Sequence, residues 1–329
     1  MDASAKIYSP KELQQTLTSA LRSEELSVGH GQDCVIVDTR TLQHPLDLPL
    51  LPNCPLIALH TDSASHPTNA ILSHFDCVAT AAELEQLLQS IRDQPVAATT
   101  LCHLLRQSES LTIEQALTAE SMAYGLLQSS DGFRSWLASQ SKHPHPPSSD
   151  PVVLIERADN ELLISLNRPE QHNAYNEQMR DELSAALQLA VADSSIRRVI
   201  LRGHGASFSA GGDLTEFGSV TDAGVAHIAR TTRSPALLLS RISDRVTVQV
   251  QGACIGAGIE LPAFCAHIRA HKDAYFRLPE VALGLIPGAG GTVSISRRIG
   301  RQATAKLALT SQTLTAEQAL RLGLINQVD

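Results

Sequence analysis

The chain has 329 residues and 43% of them are hydrophobic, which is enough for a substantial core in one large domain or two smaller ones. Its formal net charge is −8 and no basic face is visible, so the composition argues against nucleic-acid binding. No apolar run reaches the ~18 residues of a membrane span. Residues 1–20 lack the apolar segment of a secretion signal, and the six cysteines form no CxxC pair. We therefore expect a cytoplasmic protein with reduced thiols, no metal site and no membrane partner.

The first predicted elements are three short strands at residues 33–39, 56–60 and 75–80, separated by loops that are rich in Pro and His. Residues 1–75 form a predicted N-terminal extension, and the pattern assigns no role to it.

Residues 76–142 predict a helical region. A first helix begins at Ala81, and its apolar face comprises Leu84, Leu87, Leu88 and Ile91. A second helix is predicted over 96–107 and a last one over 132–139. Thr112 is the predicted cap of the third helix. The apolar stripe of that helix comprises Ala116, Ala119, Met122, Ala123, Leu126 and Leu127.

The clearest boundary is the segment 143–151, whose four prolines and two serines prevent helix and sheet from continuing. We interpret it as a linker that leads into a domain at 152–329. Strands predicted at 152–157, 161–167, 198–202 and 245–251 alternate there with helical stretches such as 177–192. This alternation predicts an α/β fold.

A first glycine-rich turn, FSAGGDL, runs from Phe208 to Leu214 after a predicted strand. Its adjacent glycines lack Cβ atoms, so a ligand can approach the backbone closely. We expect a helix to begin near Asp213, where unpaired N–H groups would suit a developing oxyanion. A tight turn without a ligand is the alternative.

A second turn, GACIGAGIE at 252–260, does not fit GxGxxG and lacks the Lys and hydroxyl of a P-loop, so a nucleotide-phosphate site is not predicted. Its small residues again permit close approach to the backbone. Glu260 falls in the first turn of a predicted helix, where it either acts chemically or balances the helix dipole.

The third segment, at 276–291, places Glu280 among leucines and a valine. Desolvation by such neighbours would raise the pKa of this carboxyl and make it a better proton donor, whereas a solvated loop is the alternative. Two carboxylates and an oxyanion site together favour proton transfer next to a carbonyl group.

FSAGGDL, GACIGAGIELPAFC and FRLPEVALGLIPGAGG, in this order, resemble the signature blocks of the crotonase superfamily, which includes enoyl-CoA hydratases and isomerases. NRPEQHNA at 167–174 resembles the preceding block, and AEQALRLGLI at 316–325 the following one. The resemblance covers roughly 152–329. It implies a spiral of ββα units with surrounding helices, and a homo-oligomer such as a trimer or hexamer.

The resemblance also implies an acyl-CoA thioester whose oxygen binds the backbone N–H groups of Gly212 and Ala257. Glu260 would activate water for addition to a trans-2-enoyl-CoA, and Glu280 would protonate Cα. The implied substrate-binding residues are His172, Asn173, Ala174, Ala210, Gly211, Asp213, Leu214, Gly256, Pro287 and Gly288. Candidates for binding the CoA phosphates are Arg168, Arg202, Arg297, Arg298 and Arg301, with simple solvent exposure as the alternative.

Other functions stay open at this point. Many Δ3-Δ2 isomerases of the family keep only the glutamate that corresponds to Glu280, so an isomerase is one alternative. An acyl-CoA hydrolase and a non-catalytic acyl-CoA binding or scaffold protein are the others. No cofactor is expected, because coenzyme A is part of the substrate.

Residues 81–107 and 110–133 resemble the helices that follow the last strand in family members. We therefore predict a circularly permuted crotonase, whose C-terminal helices are relocated to the N-terminal side and whose segment 143–151 joins the former ends. An unrelated helical domain is the alternative.

Overall fold

The computed structural model describes residues 6–60, 71–141 and 149–329. Strands and helices alternate as the sequence predicts for an α/β protein, and the strands form sheets of four, six and three members. Most of the predicted linker at 143–151 lies outside the described residues. No helix within the described ranges is both long and apolar enough to cross a membrane. All six cysteines are buried and unpaired, as predicted.

The N-terminal sheet is parallel, with strand order β1-β2-β3-β4. Its elements are β1 (Ile7–Tyr8), α1 (Pro10–Leu17), α2 (Ala20–Glu25), β2 (Val35–Asp38), β3 (Leu56–Leu59) and β4 (Cys77–Ala79). All three predicted strands are present. Because β4 pairs with β3, the domain boundary predicted at residue 75 falls inside this sheet.

Four helices follow, where the sequence predicts helices. They are α3 (Ala81–Asp93), α4 (Pro95–Ser108), α5 (Ile113–Gln128) and α6 (Asp131–Ser139). The Thr112 hydroxyl caps α5 by accepting a hydrogen bond from the backbone N–H of Gln115.

The apolar stripe predicted for α5 is wrong at two positions, since Met122 and Leu126 are 59% and 65% exposed. Glu120 and Ser121 are buried instead. The reason is that α5 turns these polar side chains toward the C-terminal domain, where they form hydrogen bonds, so burial on this helix does not follow hydrophobicity.

The six-stranded sheet has the order β13-β10-β8-β7-β6-β5, and β5 alone pairs in the antiparallel sense. Its elements and the helices between them are β5 (Val153–Ala158), β6 (Glu161–Leu166), α7 (Glu177–Ala192), β7 (Arg198–Gly203), α8 (Ala223–Thr232), α9 (Pro235–Arg241), β8 (Val246–Val250), β10 (His267–Ala270) and β13 (Gln327–Val328). β5, β6, β7 and β8 match the four predicted strands, whereas β10 and β13 were not predicted.

The three-stranded sheet has the order β12-β11-β9. Its strands and the remaining helices are β9 (Ala253–Ile255), α10 (Ala257–Glu260), β11 (Tyr275–Arg277), α11 (Gly291–Ile299), α12 (Arg301–Thr310), β12 (Leu314–Thr315) and α13 (Ala316–Leu322). Glu280 begins a short 3-10 helix, Glu280–Leu283.

The helical region packs on the C-terminal domain, and buried residues from both form one continuous core. Two arginines of the C-terminal domain contact the helical region. Arg301 lies 3.5 Å from the Asp76 carboxylate, and Arg297 donates to the Leu111 carbonyl at 2.8 Å. These two residues, predicted as phosphate ligands, thus join the N-terminal part to the C-terminal domain. Whether α3 to α6 are permuted family helices stays a prediction.

Candidate active site

A cavity of about 1440 Å³ lies between the helical region and the C-terminal domain. One part of its lining comes from α5 and another from the two glycine-rich turns and the Glu280 segment. α8 and the start of α9 close a third side. Side chains and backbone groups from both halves of the chain therefore face the same space.

The two glycine-rich turns lie side by side. Ser209 donates its N–H to the Ala253 carbonyl at 3.0 Å, and Ile255 donates to the Ser209 carbonyl at 3.0 Å. A Cβ on Gly258 would stand only 2.4 Å from the Ser209 carbonyl oxygen, so glycine is required for this approach. Residues that are far apart in sequence thereby present neighbouring backbone groups.

Two backbone N–H groups on these turns are free to bind a ligand. Gly212 and Ala257 both line the cavity, and neither N–H donates a hydrogen bond to any described residue. Buried N–H groups usually have a partner, so two free donors beside one cavity favour an acceptor atom from a ligand.

The prediction that a helix begins near Asp213 is wrong, because a turn follows Asp213 and the next helix, α8, starts only at Ala223. The Asp213 carboxylate accepts hydrogen bonds from the N–H and hydroxyl of Thr215, at 3.2 and 2.7 Å, which holds a turn. Asp213 also pairs with Arg168 at 3.0 Å. The Gly212 donor therefore belongs to a turn and not to a helix N-terminus.

Glu260 is 2% exposed, and one of its carboxylate oxygens is held by the backbone. Its Oε2 accepts from the N–H groups of Ala289 at 2.7 Å and Gly291 at 2.9 Å. Burial raises the pKa of Glu260 to about 7, and the two N–H groups act against that shift. The other oxygen, Oε1, takes no part in these bonds.

The Glu280 carboxyl is not held by the backbone in the way that the Glu260 carboxyl is. Its Oε2 is fully enclosed and has no hydrogen-bond partner among the described residues. Burial raises the pKa of Glu280 well above its usual range, and the charge of Glu260 adds to the shift. A Cβ on Gly256 would lie 2.4 Å from Glu280 Oε1 and 3.6 Å from Glu260 Oε1, so both oxygens border one small space.

Glu120 on α5 is a third carboxyl in this cluster, and the sequence analysis missed it. It accepts from the Gly290 N–H at 2.7 Å and from the N–H and hydroxyl of Thr292 at 3.0 and 2.5 Å. Four consecutive N–H groups, 289–292, thus bond alternately to Glu260 and Glu120. Burial raises the pKa of Glu120 to about 8, and repulsion from Glu260 contributes.

α6 supports two parts of the cavity wall. The Phe133 backbone packs so closely on Gly284 that a Cβ there would lie 2.5 Å from the Phe133 nitrogen. The Phe133 and Trp136 rings also pack against Phe217, with centroids 6.4 and 5.9 Å away. This helix therefore holds both the Glu280 segment and the turn that follows Gly212.

Of the predicted substrate-binding residues, Asp213 and Gly288 line the cavity. The others are not among its lining residues; they are His172, Asn173, Ala174, Ala210, Gly211, Leu214, Gly256 and Pro287. Asn173 uses its amide to bond the carbonyls of His204 and Ser207, both at 2.9 Å, so it shapes the loop. Contact of these eight residues with a substrate stays a prediction.

Of the remaining phosphate candidates, only Arg168 lines the cavity, and it is paired with Asp213. Arg202 donates to Ser165 at 3.0 Å, and Arg298 donates to the Cys265 carbonyl at 2.6 Å. Both bonds are internal to the C-terminal domain, and phosphate binding by these two arginines stays a prediction.

Comparison with known proteins identifies the C-terminal domain. The family described as enoyl-CoA hydratase/isomerase matches residues 156–329. The 2,3-dehydroadipyl-CoA hydratase of Escherichia coli is 35% identical over 178 residues, which cover 54% of this chain and 68% of that protein. The short-chain-enoyl-CoA hydratase of Clostridium acetobutylicum is 32% identical over 177 residues, with the same coverage.

Among solved structures, the enoyl-CoA hydratase of Thermoplasma volcanium is 32% identical with a TM-score of 0.50, over 55% of this chain and 72% of that one. These matches confirm the predicted crotonase-like α/β fold. This chain belongs to the enoyl-CoA hydratase/isomerase family of the crotonase superfamily.

Proposed function

We propose that this protein adds water to the double bond of a trans-2-enoyl-CoA thioester. One observation carries the proposal: two free backbone N–H groups and two buried carboxyls with different surroundings face a single cavity. The hydratase names of the relatives support the same reaction class.

The thioester oxygen accepts hydrogen bonds from the N–H groups of Gly212 and Ala257. Attack at Cβ moves negative charge onto this oxygen as an enolate forms. Fixed donors aimed at the developing charge stabilise the transition state more than the ground state. Loss of one such donor typically lowers kcat by about 10²–10³.

The two glutamates divide the proton transfers. Glu260, with a pKa of about 7, is partly ionised at neutral pH, and its Oε1 accepts a proton from the attacking water. Glu280 keeps its proton because burial disfavours its charged form, and it delivers that proton to Cα. The hydroxyl joins Cβ and a hydrogen joins Cα, and proton exchange with solvent restores both carboxyls. These reaction steps need no cofactor beyond the coenzyme A of the substrate.

Hydration of crotonyl-CoA, followed as loss of the conjugated thioester absorbance, tests the proposal. The wild-type protein should hydrate it, and Glu260→Gln should lower kcat by about 10²–10⁴. The matched control is Glu156→Gln, an exposed residue on β5. If the wild-type protein bound crotonyl-CoA without turnover, a binding or scaffold role would replace the proposal.

A second assay separates hydration from double-bond isomerisation. With a trans-3-enoyl-CoA, an isomerase should form the conjugated thioester and raise the absorbance. Isomerisation that survives Glu260→Gln, together with no hydration by the wild type, would identify an isomerase that depends on Glu280 alone.

A further inference from the structure

Arg230 on α8 lines the cavity, and α5 fixes its orientation. Its Nε donates to the Ser121 hydroxyl at 3.0 Å, and its Nη2 donates to the Ser121 carbonyl at 3.1 Å. The guanidinium lies over the Tyr124 ring, with Cζ 5.1 Å from the centroid. Three contacts therefore hold this cation in one place, and its Nη1 donates no hydrogen bond to any described residue.

Arg230 has no carboxylate within ion-pair distance among the described residues. Two other arginines of the same cavity are paired: Arg168 with Asp213, and Arg180 with Glu177 and Asp181. Arg233 also lines the cavity, but its side chain is exposed to solvent. Burial lowers the pKa of Arg230, which means that its positive charge is incompletely solvated. A half-buried cation without a carboxylate partner gains free energy when an anion enters.

Tyr124 lies beside both Arg230 and the turn that holds Glu260. A Cβ on Gly288 would lie 2.4 Å from the Tyr124 ring, and the next residue, Ala289, holds Glu260. Arg230 lies over the face of that ring, so one tyrosine contacts both the guanidinium and the turn beside the reacting groups. Ala226 and Ala229 on α8 also line the cavity, and their small side chains leave room for an acyl chain.

The nearby acidic side chains do not cancel this attraction. Burial raises the pKa of Glu120 to about 8 and that of Glu280 well above its usual range, so both carry a proton for much of the time at neutral pH. An anionic group beside Arg230 would therefore meet less negative charge than the count of glutamates implies.

We propose that Arg230 binds a carboxylate at the far end of the acyl group, so that the preferred substrates are enoyl-CoA thioesters of dicarboxylic acids. Nη1 and the remaining N–H of Nη2 offer the forked geometry that suits a carboxylate. This inference rests on the proposed hydratase function and specifies its substrate class.

The test compares trans-2-hexenedioyl-CoA with trans-2-hexenoyl-CoA, which differ only in a terminal carboxylate in place of a methyl group. The wild-type protein should show the higher kcat/KM for the diacid. Arg230→Gln should lower kcat/KM for the diacid by roughly ten- to a hundredfold and leave the monoacid almost unchanged. Arg241→Gln, an exposed arginine at the end of α9, is the matched control.

Arg230→Lys keeps the positive charge but not the forked guanidinium, so it should retain part of the preference for the diacid. This variant replaces Arg230→Gln in the test if the Gln variant does not fold. Equal losses for both substrates would mean that Arg230 only joins α5 to α8, and would overturn the inference. A wild-type preference for the monoacid would overturn it as well. Failure to hydrate either thioester would instead refute the proposed function itself.

Discussion

The two regions that build the cavity contribute different kinds of group. The C-terminal domain supplies two backbone N–H donors and two glutamates, all within short blocks of sequence. The helical region supplies side chains from one helix face, among them Glu120, Ser121 and Tyr124. A backbone turn that binds a ligand requires particular residues next to each other, so it is recognisable as a sequence motif. The residues of a helix face are spaced along the helix, so they do not form a contiguous motif.

The largest effect should come from the C-terminal domain. Glu280→Gln removes the proposed proton donor while keeping the side-chain shape, and kcat for crotonyl-CoA should fall by about 10²–10⁴. The free energy of unfolding at pH 8 should not fall, because the variant removes a buried, unpaired carboxyl that resists ionisation. Kinetics and urea denaturation measure the two quantities. Full activity in this variant would remove Glu280 from the mechanism.

The helical region should show its importance first through packing. Phe133→Ala removes a buried ring that packs against the Trp136 and Phe217 rings, and should destabilise the protein by about 3–5 kcal/mol. Thermal unfolding with a parallel activity assay measures the result. Met122→Ala, on an exposed position of α5, should stay within about 0.5 kcal/mol of the wild type. Similar stability losses in both variants would contradict the packing described here.

Glu120→Gln tests whether the helical region also tunes the site. The amide can accept from only one of the two sets of donors at 290 and 292, so one hydrogen bond is lost and the turn loosens. We expect kcat to fall about tenfold. Glu109→Gln, exposed at the end of α4, is the control.

The same variant should change the pH dependence of stability. The pKa of Glu120 rises from 4.5 to about 8 on folding, so its ionisation lowers the free energy of unfolding as pH increases from about 5 to 8. Glu120→Gln lacks this contribution, and its stability should decline less over that window. Denaturant unfolding at several pH values measures the slope, and an unchanged slope would show that Glu120 does not titrate as described.

The smallest effect is expected from reconnecting the two regions. In a rearranged chain, residues 149–329 come first and a flexible linker joins residue 329 to residues 6–141. This chain keeps every contact between the two regions. If the helices are permuted family helices, it should retain most of its activity. The unmatched part of the Thermoplasma structure, superposed through the shared domain, should then overlie α3 to α6; helices placed elsewhere would refute the permutation.

The sequence by itself determined the α/β alternation, the family of residues 156–329 and the two glutamates, because local period, turn chemistry and contiguous blocks carry that information. It also located the glycines that let the two turns approach each other. Only the tertiary structure decided that Asp213 closes a turn and that α5 presents Glu120 and Ser121 to the cavity. The position of Arg230 over Tyr124 was likewise decided there. Those facts depend on what lies opposite each side chain, and a linear pattern contains no record of the opposing surface.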